Sequence, residues 1–460
     1  MKTVSWGVRF AYALPAFALA VVGIPIYVYI PKFYTDVVGA DITLVGIVLL
    51  AVRLFDAVSD PVIGALSDRT DTRFGRRRPW LAGAVLPLVA AILFLFVPPG
   101  LGPDAAVAWF GVGMFAVFLA WTAITVPYES LGPELSFDYD ERTTILSLRD
   151  GALILGTVVA AASPAIVEGV LGLADDAAGE RAKFRAVAYA YAPVIVAACL
   201  LCAAVVRERD RGSRSAPSTH PFRDLRRLAG NRPFMILLAS YTVAAIGSNL
   251  PATLIPYYVE YVIGDPDVEK FLLLYFVTGV ALLPLWVWAA KRIGKKWAWI
   301  AAASINAGTF AGVFFLGRGD VTAYAILVVA SGIGFGATLA LPSAMQADVI
   351  DYEELRSGKR REGEIIGIWA VSKKLAAAFG VFVAFPILGV AGYVPNVEQS
   401  EPVTLALRTM YALVPSLFNL LGLVIALAYP IDRDAHLRIL ASIEEQRRGG
   451  HPADPLGAAA

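Results

Sequence analysis

The residues best placed to do chemistry lie together in Arg53-Leu54-Phe55-Asp56-Ala57-Val58-Ser59-Asp60-Pro61, inside an otherwise apolar run. Helical spacing places Arg53, Asp56 and Asp60 on one face. Pro61 cannot donate to the carbonyl of Ala57, which frees a backbone oxygen within a turn of both carboxylates. Two carboxylates, the Ser59 hydroxyl and that carbonyl are hard oxygen donors, suited to a small hard cation or to a shared proton. The plainer alternative is an Arg53–Asp56 ion pair that stabilises a bend, with Asp60 satisfied nearby. At membrane depth each ionisable group costs about 2.5–3.5 kcal/mol even on a lenient scale, so such a cluster should face a bundle interior. Arg149, Lys373 and Lys374 also stand in or near apolar runs, with Glu129 in another. They suit either an interhelical lock, for instance Arg149 or Lys374 with Asp56 or Asp60, or contact with a substrate.

The elements that must hold these groups follow from composition. Of 460 residues, 58% are apolar and 17% charged, against about 45–50% and 25% in an average soluble domain. Mean hydropathy is +0.65 and no long polar stretch interrupts the chain, so an ordinary cytosolic enzyme is excluded in favour of one polytopic membrane protein. The formal net charge of +1 points to no nucleic-acid partner. Spans of about 20 apolar residues fall near 8–30, 43–66, 79–98, 105–128, 145–171, 187–206, 233–260, 269–290, 298–316, 321–346, 364–390 and 403–430. This predicts an all-α protein of twelve transmembrane helices. Its expected organisation is a six-helix bundle over 1–206, a cytoplasmic linker over 207–232, a second bundle over 233–430 and a cytoplasmic tail over 431–460. With both termini inside, 28 basic residues fall on the cytoplasmic side and 6 on the other, which sets that orientation.

Two echoes suggest parallel halves. Ile30-Pro31…Gly39-Ala40-Asp41 recurs as Ile255-Pro256…Gly264-Asp265, and Arg73-Phe74-Gly75-Arg76-Arg77 as Arg292-Ile293-Gly294-Lys295-Lys296, at nearly equal shifts. Duplicated six-helix units of this kind place a binding cavity between two bundles.

Here a resemblance becomes specific. Asp56-Ala57-Val58-Ser59-Asp60-Pro61, followed by Gly75-Arg76-Arg77-Arg78-Pro79-Trp80, resembles the glycoside–pentoside–hexuronide cation symporters of the major facilitator superfamily. Tyr34-Thr35-Asp36-Val37-Val38-Gly39, Met345-Gln346-Ala347-Asp348-Val349-Ile350-Asp351-Tyr352-Glu353 and Gly392-Tyr393-Val394-Pro395-Asn396-Val397 extend the likeness to both halves. It implies two pseudo-symmetric six-helix bundles, coupling to Na+ or H+ and a substrate held centrally. Carried over by position, it implies a cation site of Asp56, Ser59, Asp60 and Thr122. Ser59 stands where the family often has Asn, which leaves sodium and proton both open.

The implied substrate site comprises Arg149 and Lys374 as a basic pair joining the halves, Lys373 beside them, and the aromatics Trp121, Tyr128 and Trp369. Galactoside-carrying members have Asp where this chain has Ala20 and Thr125, and an aromatic where it has Glu129, which argues against a galactoside. Arg149 and Lys374 suit the carboxylate of a hexuronide, though Glu129 opposes it. Charged loops at corresponding places, Glu134…Arg142 and Asp348…Asp351…Glu353, are expected to form an inner gate. Arg53, Asp68 and Arg76 are expected to join it.

The expected function is symport of a sugar, glycoside or hexuronide by alternating access in a bacterial inner membrane. A lysolipid-like or other amphipathic solute is the alternative substrate, and a non-transporting receptor or scaffold the rival of another class. Catalysis is not expected. Gly317-Arg318-Gly319-Asp320 matches a string of intramembrane aspartyl proteases but lies in a short connection, without its context. Cys199 and Cys202 read as small hydrophobes, and His220, His436 and His451 lie in linker or tail. No cofactor is implied beyond the coupling cation. The other expected partners are a small-molecule substrate and the lipid bilayer.

Overall fold

Apolar runs punctuated by glycine, proline and charge fold into helices, and no strand occurs among the described residues. The computed structural model describes residues 4–136, 139–174, 176–208, 228–358, 361–450 and 452–457. The first six long helices are α1 (Trp6–Val38), α2 (Ile42–Arg69), α3 (Arg78–Phe96), α4 (Pro103–Leu135), α5 (Tyr139–Leu171) and α6 (Ala177–Val205). Six more follow: α7 (Arg232–Ile263), α8 (Val268–Ala281 and Leu283–Ile293), α9 (Lys295–Val313), α10 (Val321–Ser357), α11 (Glu362–Val390) and α12 (Glu401–Leu427). A short amphipathic α13 (Arg433–Arg447) follows them. Much of the linker expected over 207–232 lies outside the described residues.

Ten of these helices are long and apolar enough to cross a membrane, and α8, bent by 42° at its break, makes an eleventh. Pro284 opens the second part of α8, where its missing N–H and ring disfavour a continuous helix. α9 is less apolar, since lysine, serine, asparagine and threonine dilute its alanines, yet it packs on α10 and α12 as a full member of its half. α1 runs past its expected end near residue 30 because Lys32, Thr35 and Asp36 find polar partners in its last turns. α6 begins ten residues before its expected start at 187. Its charged first turns are held together where Lys183 reaches Glu168 at 2.8 Å and Glu180 at 2.5 Å.

Helix partners repeat between the halves. α1 packs on α5 and α6 as α7 packs on α11 and α12, while α4 packs on α2 and α3 as α10 packs on α8 and α9. α3 meets α6 as α9 meets α12. Across the interface α2 meets α11, and α5 meets α8 in the same way. The sequence echoes mark matching backbone events. α1 and α7 both widen into π turns and end at left-handed glycines, Gly39 at φ 91° and Gly264 at φ 80°. The N–H groups of Gly39 and Ala40 donate to Tyr34 as those of Gly264 and Asp265 donate to Val259.

One apolar core fills the first half and continues into the part of the second half farthest from the termini. A separate core fills the second half near the termini. Large side chains such as Leu86, Ile326 and Val390 remain exposed on helix exteriors, as expected of surfaces that face lipid tails.

Close helix approach is a further requirement. A Cβ added to Gly156 of α5 would lie 2.5 Å from the Phe17 carbonyl oxygen and 2.9 Å from the Ala20 Cβ of α1, whereas one on Gly151 meets nothing within 4 Å. Gly156→Val is therefore expected to destabilise the first half by about 1–3 kcal/mol through overpacking, with Gly151→Ala near neutral. Thermal unfolding in detergent checks this; equal melting temperatures for the two variants would contradict it.

Candidate functional site

The charged run of α2 faces α11. Close packing lets the two helices meet: a Cβ on Gly46 would lie 2.6 Å from the Phe385 Cβ. Nearer the termini, Lys374 of α11 reaches across to α2. Its Nζ lies 2.9 Å from Asp56 Oδ2 and also pairs with Asp60 Oδ2. Thr122 of α4 closes the other side, its Oγ1 standing 3.0 Å from Asp56 Oδ1 and 3.2 Å from Asp60 Oδ1. One hydroxyl proton cannot serve both carboxylates fully, so the ammonium carries most of the compensation. The Asp60 side chain is 32% exposed and that of Asp56 9%, which makes Asp60 the accessible member of the pair.

Other expectations divide. Ser59 turns its hydroxyl along its own helix to the Asp56 carbonyl at 3.2 Å and makes no hydrogen bond to either carboxylate among the described residues. The Arg53–Asp56 ion pair considered as an alternative does not form. The Arg53 guanidinium instead lies 4.1 Å from the Tyr27 ring centre and 5.4 Å from that of Phe118, where a flat, weakly hydrated cation is stabilised by ring faces. Arg149 does not lock onto α2 either: it bonds Asp150 on its own helix at 2.6 and 2.8 Å, a neighbour near enough to hold it. Of the two basic candidates, Lys374 is the one that bridges to α2.

Among the expected substrate contacts, Glu129 and Lys373 are exposed, and Trp121 and Thr125 are half-buried. The Thr125 hydroxyl is itself buried and has no partner among the described residues, a condition that calls for a polar neighbour. Tyr128 is placed differently: it is buried, its ring tilted against that of Tyr12 with centres 5.0 Å apart, and its hydroxyl donates to the Tyr12 carbonyl at 2.7 Å. That bond commits Tyr128 to packing between α4 and α1 rather than to the cavity. Trp369 stacks on Tyr241 at 4.2 Å.

Of the expected gate residues, Asp68, Arg76, Asp348, Asp351 and Glu353 lie on the face that carries both termini, whereas Arg53, one turn before Asp56 and farther from that face, sits against Tyr27 and Phe118. Asp68 binds Arg77 at 3.1 Å, and the Arg76 N–H donates to Glu208 at 2.8 Å. Asp348 binds Lys295 at 2.6 Å, while His436 Nε2 lies 3.1 Å from Asp351. The fully buried Glu353 meets Arg356 at 3.2 Å and accepts from Asn231 at 2.9 Å. Each of these bridges stays within one half. The side chains of Glu134 and Arg142 lie outside the described residues.

Sequence reasoning missed the polar seal on the opposite face. Asp36, near the end of α1, accepts from Thr35 at 2.6 Å, Tyr261 at 2.8 Å and Tyr393 at 2.6 Å, and pairs with Lys32 at 3.0 Å. Asn396 donates to the Asp36 carbonyl at 2.6 Å, Thr35 meets the Tyr257 hydroxyl at 2.9 Å, and Lys32 also pairs with Glu260. Every one of Tyr257, Glu260, Tyr261, Tyr393 and Asn396 belongs to the second half. The signal was present as charge at the ends of two echoing spans, Lys32 and Asp36 in one and Glu260 in the other. The halves are thus stitched together at mid-depth and on the face away from the termini.

Residues 11–433 match the family described as MFS/sugar transport protein. The isoprimeverose transporter of Lactiplantibacillus pentosus is 27% identical, with 96% of this chain and 92% of that protein covered. The glucuronide carrier protein homolog of Escherichia coli K12 is 26% identical, with 91% of each covered. Among solved structures, the nucleoside transporter NupG superposes with a TM-score of 0.67 at 12% identity, over 92% of this chain and 99% of that one, a likeness of fold.

Proposed function

The chain belongs to the MFS/sugar transport protein family of the major facilitator superfamily, and from that membership we propose that Asp56 and Asp60 couple a cation to sugar transport by exchanging it for Lys374. The protein is a multi-pass membrane transporter, a cation-coupled symporter of a sugar or glycoside. The observation that carries the coupling scheme is the ammonium of α11 seated against both carboxylates of α2.

In this scheme Lys374 is a tethered stand-in for the mobile cation. The empty site holds two negative charges and one positive charge, so one Na+ or H+ entering at the accessible Asp60 neutralises it. The cation competes for the same carboxylate oxygens, which releases the ammonium and loosens the bond between halves. The released Lys374, with Arg149 and Lys373, faces a substrate that bears a carboxylate or several hydroxyls, and Thr125 supplies a further hydroxyl. Trp121 offers a flat apolar surface to a sugar ring. An acidic sugar such as a hexuronide suits this basic set. A relative named as a glucuronide carrier supports that reading.

The excess of basic residues on the face that carries the termini supports the reading that this face lies in the cytoplasm of a bacterial inner membrane. The structure then corresponds to the form sealed outside, with Asp68, Asp348 and Glu353 paired inside their own halves until the inner mouth closes.

Uptake into proteoliposomes tests the reading with a panel of pentosides, glucosides, hexuronates and lysolipids, under sodium, proton or no gradient. Gradient-driven accumulation of a hexuronate or glycoside is the expected result. Accumulation of a lysolipid alone would overturn the substrate. Movement of none under any gradient would favour a receptor or scaffold.

A further inference from the structure

The two halves treat one shared element differently. After α2 and after α8 the chain turns through a left-handed glycine, Gly75 at φ 104° and Gly294 at φ 88°, into basic residues that open α3 and α9. In the first half Glu208, just beyond α6, fills the turn. Its carboxylate accepts from the backbone N–H groups of Arg76, Arg77 and Arg78 at 2.8, 2.7 and 3.2 Å. A Cβ added to Gly75 would lie 2.6 Å from Glu208 Oε1.

The counterpart beyond α12 is Asp432, and it serves another purpose. It caps α13, accepting from the Ala435 N–H at 2.8 Å. A Cβ added to Gly294 would meet nothing within 4 Å. Among the described residues no acceptor meets the N–H groups of Lys295, Lys296 and Trp297, the first three of α9. An open cleft of about 680 Å³ occupies the place, walled by the end of α8, the start of α9, α10 and the start of α13.

The cleft is basic. Lys291, Arg292, Lys295, Lys296 and Arg433 line it, against Asp348, Asp432 and Asp434. Two of these acids are engaged, Asp348 by Lys295 at 2.6 Å and Asp432 by its own helix. Lys296 is engaged by the Leu427 and Tyr429 carbonyls at 2.8 and 2.7 Å, and Arg433 donates to the Lys291 carbonyl at 3.4 Å. Lys291 and Arg292 have no carboxylate partner among the described residues. Arg292 rests only against Trp288, 5.7 Å from the ring centre. The outer flank is apolar, with Trp288, Ile293 and Trp297 each more than half exposed. Tryptophans beside lysines and arginines at the ends of spans mark the level of lipid headgroups.

We propose that this cleft binds the phosphate of an anionic phospholipid in the leaflet on the face that carries the termini. Lys291 and Arg292 hold the phosphate through charge-assisted bonds, and the free N–H groups opening α9 donate to it as those opening α3 donate to Glu208. Trp288, Ile293 and Trp297 lie along the acyl chains. A lipid is favoured over a free phosphate because the cleft opens beside this apolar flank, and basic pockets between transmembrane helices suit such headgroups.

Native mass spectrometry of the full chain, released from detergent with equal phosphatidylglycerol and phosphatidylcholine, tests the assignment. The wild type should retain phosphatidylglycerol in preference. The double variant Lys291→Gln/Arg292→Gln should lose that retention about tenfold, while Lys270→Gln/Arg318→Gln, on the opposite face, should not. Melting in phosphatidylcholine nanodiscs confirms that both variants fold. Equal retention of the two lipids by the wild type, or equal losses in the two double variants, overturns the site. If inorganic phosphate alone stabilises the protein as much as phosphatidylglycerol does, the site takes a free anion and the lipid assignment fails.

Discussion

Asp60→Asn is expected to abolish gradient-driven accumulation of the substrate while leaving movement down the substrate's own gradient in place. The amide keeps the shape of the carboxylate but removes one of two negative charges beside Lys374. The remaining Asp56–Lys374 pair is then neutral without any added cation, so nothing at the site requires one. Losing a charge-assisted contact to the cation is worth about 1.5–3 kcal/mol, which corresponds to cation binding weaker by about tenfold to a hundredfold. Asp56→Asn should act in the same direction. Lys374→Gln should do the opposite to cation affinity, raising it because the tethered competitor is gone. Parallel uptake and efflux measurements in proteoliposomes read all three. Gradient-driven accumulation by Asp60→Asn within about threefold of the wild type would remove the carboxylates from the coupling scheme.

The second large effect belongs to the seal around Asp36. Its carboxylate gathers donors from both halves, and Asp36→Ala would leave the Tyr261 and Tyr393 hydroxyls and the Lys32 ammonium short of a partner. Losing a buried, multiply bonded carboxylate should disfavour the sealed form by about 3 kcal/mol, a shift on the order of a hundredfold toward the form open on that face. Spin labels at Ala177 and Glu398, exposed on that face in different halves, should move to longer separations in the variant. An unchanged distance distribution would show that apolar packing, not Asp36, holds the seal.

Helix register explains what could be read beforehand. The spacing of Asp56 and Asp60 required a shared face, and the cost of bare charge in a membrane required that face to look inward. The echoed Pro–Gly and Gly-basic strings foretold paired helix ends, because a left-handed turn needs glycine wherever the fold repeats it. Partner choice was another matter. Arg149 and Lys374 were equal candidates to bridge to α2, and only the packing of α11 on α2 distinguishes them. Arg53 could bind a carboxylate or a ring, which periodicity along α2 cannot tell apart, since both lie toward the interior. Asp36 sat beyond an apparent span end marked by Pro31. Its polarity read as a boundary, whereas Tyr261, Tyr393 and Asn396, its partners from the second half, are more than two hundred residues away. Tyr128 could stack on a sugar or simply pack, and packing is the commoner fate of an aromatic side chain.

The tethered ammonium also decides where membrane voltage acts. A site of two carboxylates and one lysine carries a single negative charge when empty and none once a monovalent cation has entered. Crossing the full potential is worth about 2.3 kcal/mol per charge per 100 mV. With a negative cell interior, that force acts on the unloaded site and favours its return to the outside, while the site loaded with the cation and an uncharged glycoside is neutral and crosses with little electrical assistance. A resting potential would therefore accelerate the resetting of the carrier, and the current recorded during turnover would belong to that unloaded half of the cycle.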